Sequence, residues 1–143
     1  MKVLVTDPIA DAGIERLEEA GHTVETAYEV EGEALLDAVS DAHGLIVRSG
    51  TEVTAEVFDA ASELVIVGRA GIGVDNIDID AATEHGVVVA NAPEGNVRAA
   101  SEHTVAMAFA TARSIPQAHA RMQNGEWAKG EFLGTELNGK TLG

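Results

Sequence analysis

The sequence predicts an α/β fold: a flavodoxin-like, doubly wound parallel sheet followed by a long apolar bridging or dimerisation helix. Three observations predict it. Short β-branched runs alternate with alanine-rich amphipathic stretches. Most of the runs are apolar throughout, as strands covered on both faces are. A helical pattern separates each consecutive pair, which is what parallel pairing requires.

The elements follow in order. "KVLVT" (2–6) is the first strand, and "IADAGIERLEEAG" (9–21) places Ile9, Ile14 and Leu17 on one helical face. "HTVETA" (22–27) is the second strand and "EGEALLDAVSD" (31–41) the second helix. "GLIVRS" (44–49) leads to "TAEVFDAAS" (54–62), a helix that Thr54 is placed to cap. "ELVIVG" (63–68), the short helix "DIDAATEHG" (78–86) and "GVVVANA" (86–92) complete the sheet.

After residue 96 the pattern changes. "VRAASEHTVAMAFATARSI" (97–115) reads as one long helix, apolar nearly all round between Thr104 and Ala112. A helix without a polar face must be buried on several sides, so it bridges to another domain or lies in a subunit interface. Pro116 opens a second helix and Asn124-Gly125 stops it. The tail has loop character until "GKTLG" (139–143), which reads as the opening of another strand. The expected division is therefore 1–96 and 97–143.

Composition narrows the function classes. The 143 residues carry 24 acids against 9 Lys and Arg, a net charge of −15, with Lys2, Lys129 and Lys140 the only lysines. Nucleic acid is excluded as a partner by that sign of charge. The acids are spread along the chain, which fits a protein of a high-salt cytoplasm, where salt screens the repulsion, or an ordinary acidic protein. No run reaches the roughly 18 to 20 apolar residues of a membrane span, and Met1-Lys2 leads into "VLVTD" without a signal peptide, so a cytoplasmic location is expected. Absence of cysteine excludes disulfides, thiolate zinc and a cysteine nucleophile. The histidines lack ligand spacing, no metal site is expected, and no serine stands in a nucleophile elbow. Glu102 and His103 are adjacent in a helix and point about 100° apart, which gives them no common task.

One stretch invites chemistry. In "LVIVGRAGIGVDNID" (64–78) a strand runs into a glycine-rich loop, but counting from Gly71 places Gly73 and then Asn76 where a dinucleotide fingerprint needs its third glycine. In doubly wound sheets ligands bind beyond the carboxyl ends of the strands. The positions to inspect there are Asp7, Arg48-Ser49, Arg69 to Asn76 and Asn91 to Asn96. Arg48 and Arg69 each close a strand, and either they converge on an anion or they form ion pairs. Asp7 ends the first strand as in phospho-receiver domains. A receiver also needs Asp after the third strand and Lys after the fifth, where this chain has Arg48-Ser49 and Asn91-Ala92-Pro93.

"LIVRSGTEVT", "VGRAGIGVDNIDIDAATEHGVVVANAPEGNVRAASEHT" and "GTELNGKTLG" together resemble the amino-terminal part of the NAD-dependent D-isomer-specific 2-hydroxyacid dehydrogenases, in particular those acting on a phosphorylated hydroxyacid. The resemblance implies a substrate-binding domain over 1–96, and bridging helices with the start of a truncated Rossmann domain over 97–143. It implies that Arg48, Ser49, Arg69 and Asn96 contact substrate, and that the backbone of Ala70, Gly71, Ile72 and Gly73 holds its carboxylate. Ile72 would also approach the cofactor, and Lys129 falls where relatives carry base towards a neighbouring subunit. The family's catalytic Arg, Glu and His would lie beyond Gly143, so none is expected in this chain. The 143 residues would then be a fragment, inactive alone and without tightly held cofactor. The intact protein would pass hydride to NAD and form a homodimer through residues 97–112. Glycerate- or formate-type dehydrogenases and non-catalytic corepressor-like relatives remain alternatives.

Overall fold

Each of the five expected runs forms a strand shorter than itself: β1 (Lys2–Val5), β2 (Thr23–Thr26), β3 (Gly44–Val47), β4 (Ile66–Arg69) and β5 (Val88–Asn91). Between them lie α1 (Asp11–Glu19), α2 (Glu33–Val39), α3 (Ala55–Ala60) and α4 (Ile79–Glu84). The structure, a computed structural model, describes residues 1–143 as two units, Met1–Asn96 and Val97–Gly143. In the first unit all pairings are parallel and the strand order is β2-β1-β3-β4-β5. Val47 pairs with Arg69, and Arg69 with Asn91. That register brings the segments after β3, β4 and β5 out side by side at one edge.

Side-chain alternation divides the sheet into unequal faces. Leu4, Leu45, Val47 and Val67 point to the face carrying α2, α3 and α4, and meet Leu35, Val39, Val57, Phe58, Ala81 and Ala82 in one buried cluster. The opposite face has only α1, which flanks a shallow groove floored by Ile46, Gly68 and Ala90. Exposure rises across this face, from Val5 at 0% on β1 to Ile66 at 40% on β4 and Val88 at 59% on β5. The doubly wound expectation holds, with α1 on one face and α2, α3 and α4 on the other, and the cover on the α1 side is partial. One helix spans about 10 Å, enough for the β1 side and too little for the whole sheet. Accordingly α1 buries no residue fully, and Ile14 and Leu17 are half-buried.

Two helix starts differ from one another. Thr54 occupies the position before α3 but its side chain makes no capping bond, contrary to expectation. Asp78 does cap α4, accepting the Ala81 N–H at 2.9 Å.

The second unit holds α5 (Val97–Ala112), α6 (Ile115–Gln123) and a 3-10 turn opened by Lys129 (Lys129–Glu131). Ser114, at φ 50°, breaks the helix that the sequence carries on to Ile115. Pro116 sits in the first turn of α6, and Asn124 with Gly125 at φ 76° ends it. The terminal carbonyl of Ala112 on α5 accepts the Thr135 N–H at 2.7 Å, and a Cβ on Gly134 would stand 2.8 Å from that oxygen. Burial of α5 on several sides is not observed: it has no buried residue, and Val105, Met107 and Phe109 are about half exposed. "GKTLG" forms no strand, since it has no neighbouring strand to pair with, and begins instead with a turn at Gly139. No helix is long and apolar enough to cross a membrane.

Candidate functional site

At the carboxyl edge of the sheet, Arg48, Ser49, Arg69, the Ala70–Gly73 backbone and Asn96 line one cavity of about 290 Å³. Its wall has two guanidinium groups and no carboxylate or imidazole. In a chain of net charge −15, that is a local inversion of sign.

Two buried side chains build the loop after β3. Asp7 Oδ2 accepts the N–H of Arg48 at 2.6 Å and that of Thr51 at 3.1 Å. Asn76, 5% exposed, donates from Nδ2 to the carbonyls of the same two residues, at 2.8 Å to Arg48 and 2.6 Å to Thr51. The Thr51 and Thr6 hydroxyls bond at 2.9 Å. Arg48 and Ser49 are thereby carried on a short turn bonded at both its ends, with the exposed Arg48 guanidinium 3.4 Å from the Pro8 carbonyl.

The loop after β4 is organised around Arg69. Its side chain is only 10% exposed, and its Nε donates to Asn76 Oδ1 at 2.7 Å. Asp75 lies 3.8 Å from Nη2 but is 87% exposed, so solvent screens that pair. The shorter of the two contacts of Arg69 is thus to a neutral amide, and its one ion-pair partner is a solvent-exposed carboxylate. Gly71 is required for this packing, because a Cβ there would stand 2.5 Å from Arg69 Nη1.

The backbone donors of the loop are unequal. The Ala70 N–H is taken by Val47 O at 2.8 Å and the Gly71 N–H by Arg69 O at 2.8 Å. Those of Ile72 and Gly73 bond to no group of the chain. The expectation that the whole Ala70–Gly73 backbone offers N–H groups is thus narrowed to the last two residues. Asn91 fixes the loop from β5, donating to Ile72 O at 2.6 Å, and the Ala92 N–H bonds Gly71 O at 2.9 Å. No cluster of His, Asp or Glu could hold a metal ion.

Asp7 and Asn76 are supporting residues whose role sequence reasoning missed. Asp7 carries a signal, a carboxylate directly after a buried strand, which fits a receiver as readily as a loop anchor. Asn76 stands as a lone amide in the otherwise acidic and apolar "VDNID".

Comparison with known proteins bears on this geometry. Residues 3–135 match the family described as D-isomer specific 2-hydroxyacid dehydrogenase, catalytic domain. The D-3-phosphoglycerate dehydrogenase of Methanocaldococcus jannaschii is 50% identical over 143 residues, all of this chain and 27% of the relative. The human D-3-phosphoglycerate dehydrogenase is 48% identical over 142 residues, 99% of this chain and 27% of the relative. The chain therefore spans about a quarter of the length of these curated relatives. Among solved structures, a Thermus thermophilus protein superposes with a TM-score of 0.87 at 33% identity, over 97% of this chain and 46% of that one. An NAD+-bound 3-phosphoglycerate dehydrogenase of Entamoeba histolytica gives 0.73 at 34% identity, over 79% and 39%.

Proposed function

The chain belongs to the D-isomer-specific 2-hydroxyacid dehydrogenase family, and from that membership we propose that it is the substrate-holding part of a D-3-phosphoglycerate dehydrogenase. Residues 1–96 are the substrate-binding domain, and residues 97–143 are bridging helices leading into a nucleotide-binding domain. The intact protein oxidises the 2-hydroxyl of 3-phosphoglycerate to the ketone of 3-phosphohydroxypyruvate in serine synthesis, and acts in the cytoplasm.

The observation that carries this reading is the cavity lined by Arg48, Arg69, Ile72 and Gly73, the last two with N–H groups that bond nothing in the chain. 3-Phosphoglycerate is anionic at both ends. The two N–H groups hold the carboxylate, and the arginines balance the remaining charge, with Arg48 on the phosphate side. Ser49 and Asn96 supply neutral polar contacts. Binding of this kind orients the 2-hydroxyl without itself moving a proton. The acid/base pair and the carbonyl-polarising arginine belong to residues outside this stretch.

NAD, when bound, supplies the hydride acceptor. Ile72 is the residue here that would approach it, through its backbone, with its side chain 44% exposed and its carbonyl held by Asn91. The loop does not fit the pyrophosphate, because its third glycine position is the buried Asn76. Exposure of Val105, Met107 and Phe109 on α5 supports a homodimer through residues 97–112.

The test compares two lengths. The 143-residue chain alone turns over no 2-hydroxyacid. A chain continuing through a nucleotide-binding domain reduces NAD with 3-phosphoglycerate, and there Arg48→Ala lowers kcat/KM by about ten- to a hundred-fold through KM. Turnover by the 143 residues alone, or an Arg48→Ala enzyme with unchanged kcat/KM, overturns the proposal.

A further inference from the structure

We propose that Asn76 is a positioning residue that locks the two arginine-bearing loops to one another, so that Arg48 and Arg69 meet the same substrate; this rests on the substrate-site reading above. Asn76 lies in the loop after β4, seven residues beyond Arg69, and lines no part of the cavity. Its influence runs through three hydrogen bonds. Both Nδ2 hydrogens go to the loop after β3, and Oδ1 receives Nε of the arginine that closes β4.

The orientation of the amide is fixed by its surroundings. Two carbonyl oxygens face the nitrogen side and one guanidinium N–H faces the oxygen side, so turning the group over would set oxygen against oxygen and N–H against N–H. Asparagine is thus chemically specified. Aspartate, equal in shape, would keep the Arg69 contact but present a lone pair where Arg48 O and Thr51 O need a donor.

Two consequences reach the cavity. Arg48 and Thr51 have their carbonyls on Asn76 and their N–H groups on Asp7, so both peptide ends of the turn that carries Ser49 are clamped by side chains from two other loops. Arg69, with Nε occupied, presents its Nη1–Nη2 edge, which leaves the end-on fork for an anionic oxygen pair. One buried amide thereby sets the spacing of two cations that no direct contact joins.

The experiment uses an active dehydrogenase chain carrying this stretch, and a cycle of Asn76→Asp, Arg48→Ala and the double variant. Each enzyme is measured for kcat and for the Michaelis constants towards NAD and 3-phosphoglycerate. Asn76→Asp raises KM for 3-phosphoglycerate roughly tenfold with kcat and KM for NAD within about threefold, and the double variant is within about twofold of Arg48→Ala alone. Independent, multiplicative effects overturn the proposal, as does an Asn76→Asp enzyme that loses thermal stability with unchanged KM. Should Asn76→Asp not fold, Asp7→Ala releases the same turn from its N–H side. It must show the same non-additivity with Arg48→Ala, and additivity there overturns the proposal equally. An Arg48→Ala enzyme with unchanged KM instead removes the substrate-site reading, whatever Asn76 does.

Discussion

His85 Nε2 and Asp59 Oδ1 lie 3.0 Å apart, tying the end of α4 to α3, while His85 Nδ1–H donates to Ala81 O at 2.8 Å. Both ring nitrogens face acceptors, which favours the imidazolium. The backbone bond to Ala81 first, and then Asp59, raise the His85 pKa above its ordinary 6.5. A raised pKa stabilises the fold below 6.5, and that contribution disappears as pH rises through the folded-state value. An NMR titration of the His85 ring is therefore expected to have its midpoint above 6.5. Asp59→Asn is expected to move it downwards and to lower the thermal midpoint more at low than at high pH. A loss equal at both ends of the range would contradict the linkage.

Gly71→Ala places a methyl group against Arg69 Nη1. The end of an arginine can swing away, so little stability is lost, but the swing breaks the bond to Asn76. The expected outcome is a KM for 3-phosphoglycerate raised about three- to tenfold with a nearly unchanged thermal midpoint. In an Arg69→Ala background the same substitution is expected to do nothing further.

Phe58 is 1% exposed and is the largest fully buried side chain of the first unit. Phe58→Ala is expected to cost about 3–5 kcal/mol in denaturant unfolding, the sum of lost transfer energy and an unfilled cavity. A cost under about 1 kcal/mol would mean that α3 repacks over the gap.

The net charge of −15 sets a salt dependence. Raising KCl from about 0.1 M to 2 M is expected to raise the thermal midpoint, since a Debye length of about 10 Å shortens to about 3 Å at 1 M. A flat response would remove the high-salt interpretation of the composition.

Homodimer formation through α5 predicts that Phe109→Glu, at a position 52% exposed, weakens self-association in sedimentation without unfolding the first unit. An unchanged sedimentation coefficient would place the interface elsewhere.

The sheet was legible because most strands are continuous apolar runs, a local property, the exception being the edge strand β2 with its Thr-Val-Glu-Thr. Its limits were less so. "ELVIVG" gives up Glu63 to the turn that follows α3, where the Leu64 N–H bonds Ala61 O, while Val65, just before β4, still bonds His43 O and the Val88 N–H. Thr54 has the side chain of a cap without the geometry of one. That Arg48 and Arg69 come together at one cavity could be anticipated because position after a strand is itself a signal in this architecture. The roles of Asp7 and Asn76 could not, because their bonds reach across 41, 44, 28 and 25 residues and no local pattern records such partners. The all-round apolarity of α5 indicates that something must cover it but not what.

The sheet face that opens towards β5 gives the molecule an uneven resistance to local opening. Hydrogen-exchange protection should fall from β1 to β5, since protection follows the apolar contacts that opening must break. The Gly71–Ile72 backbone is held from that least protected strand, by Asn91 and Ala92. The glycine-rich loop after β4 can therefore loosen while the cluster around Phe58 stays intact. By linkage, an anion that binds only the closed loop must slow exchange in β5, far more than in β1. Occupancy of the cavity and the integrity of an edge strand thus become one equilibrium, readable from amides that never touch the ligand.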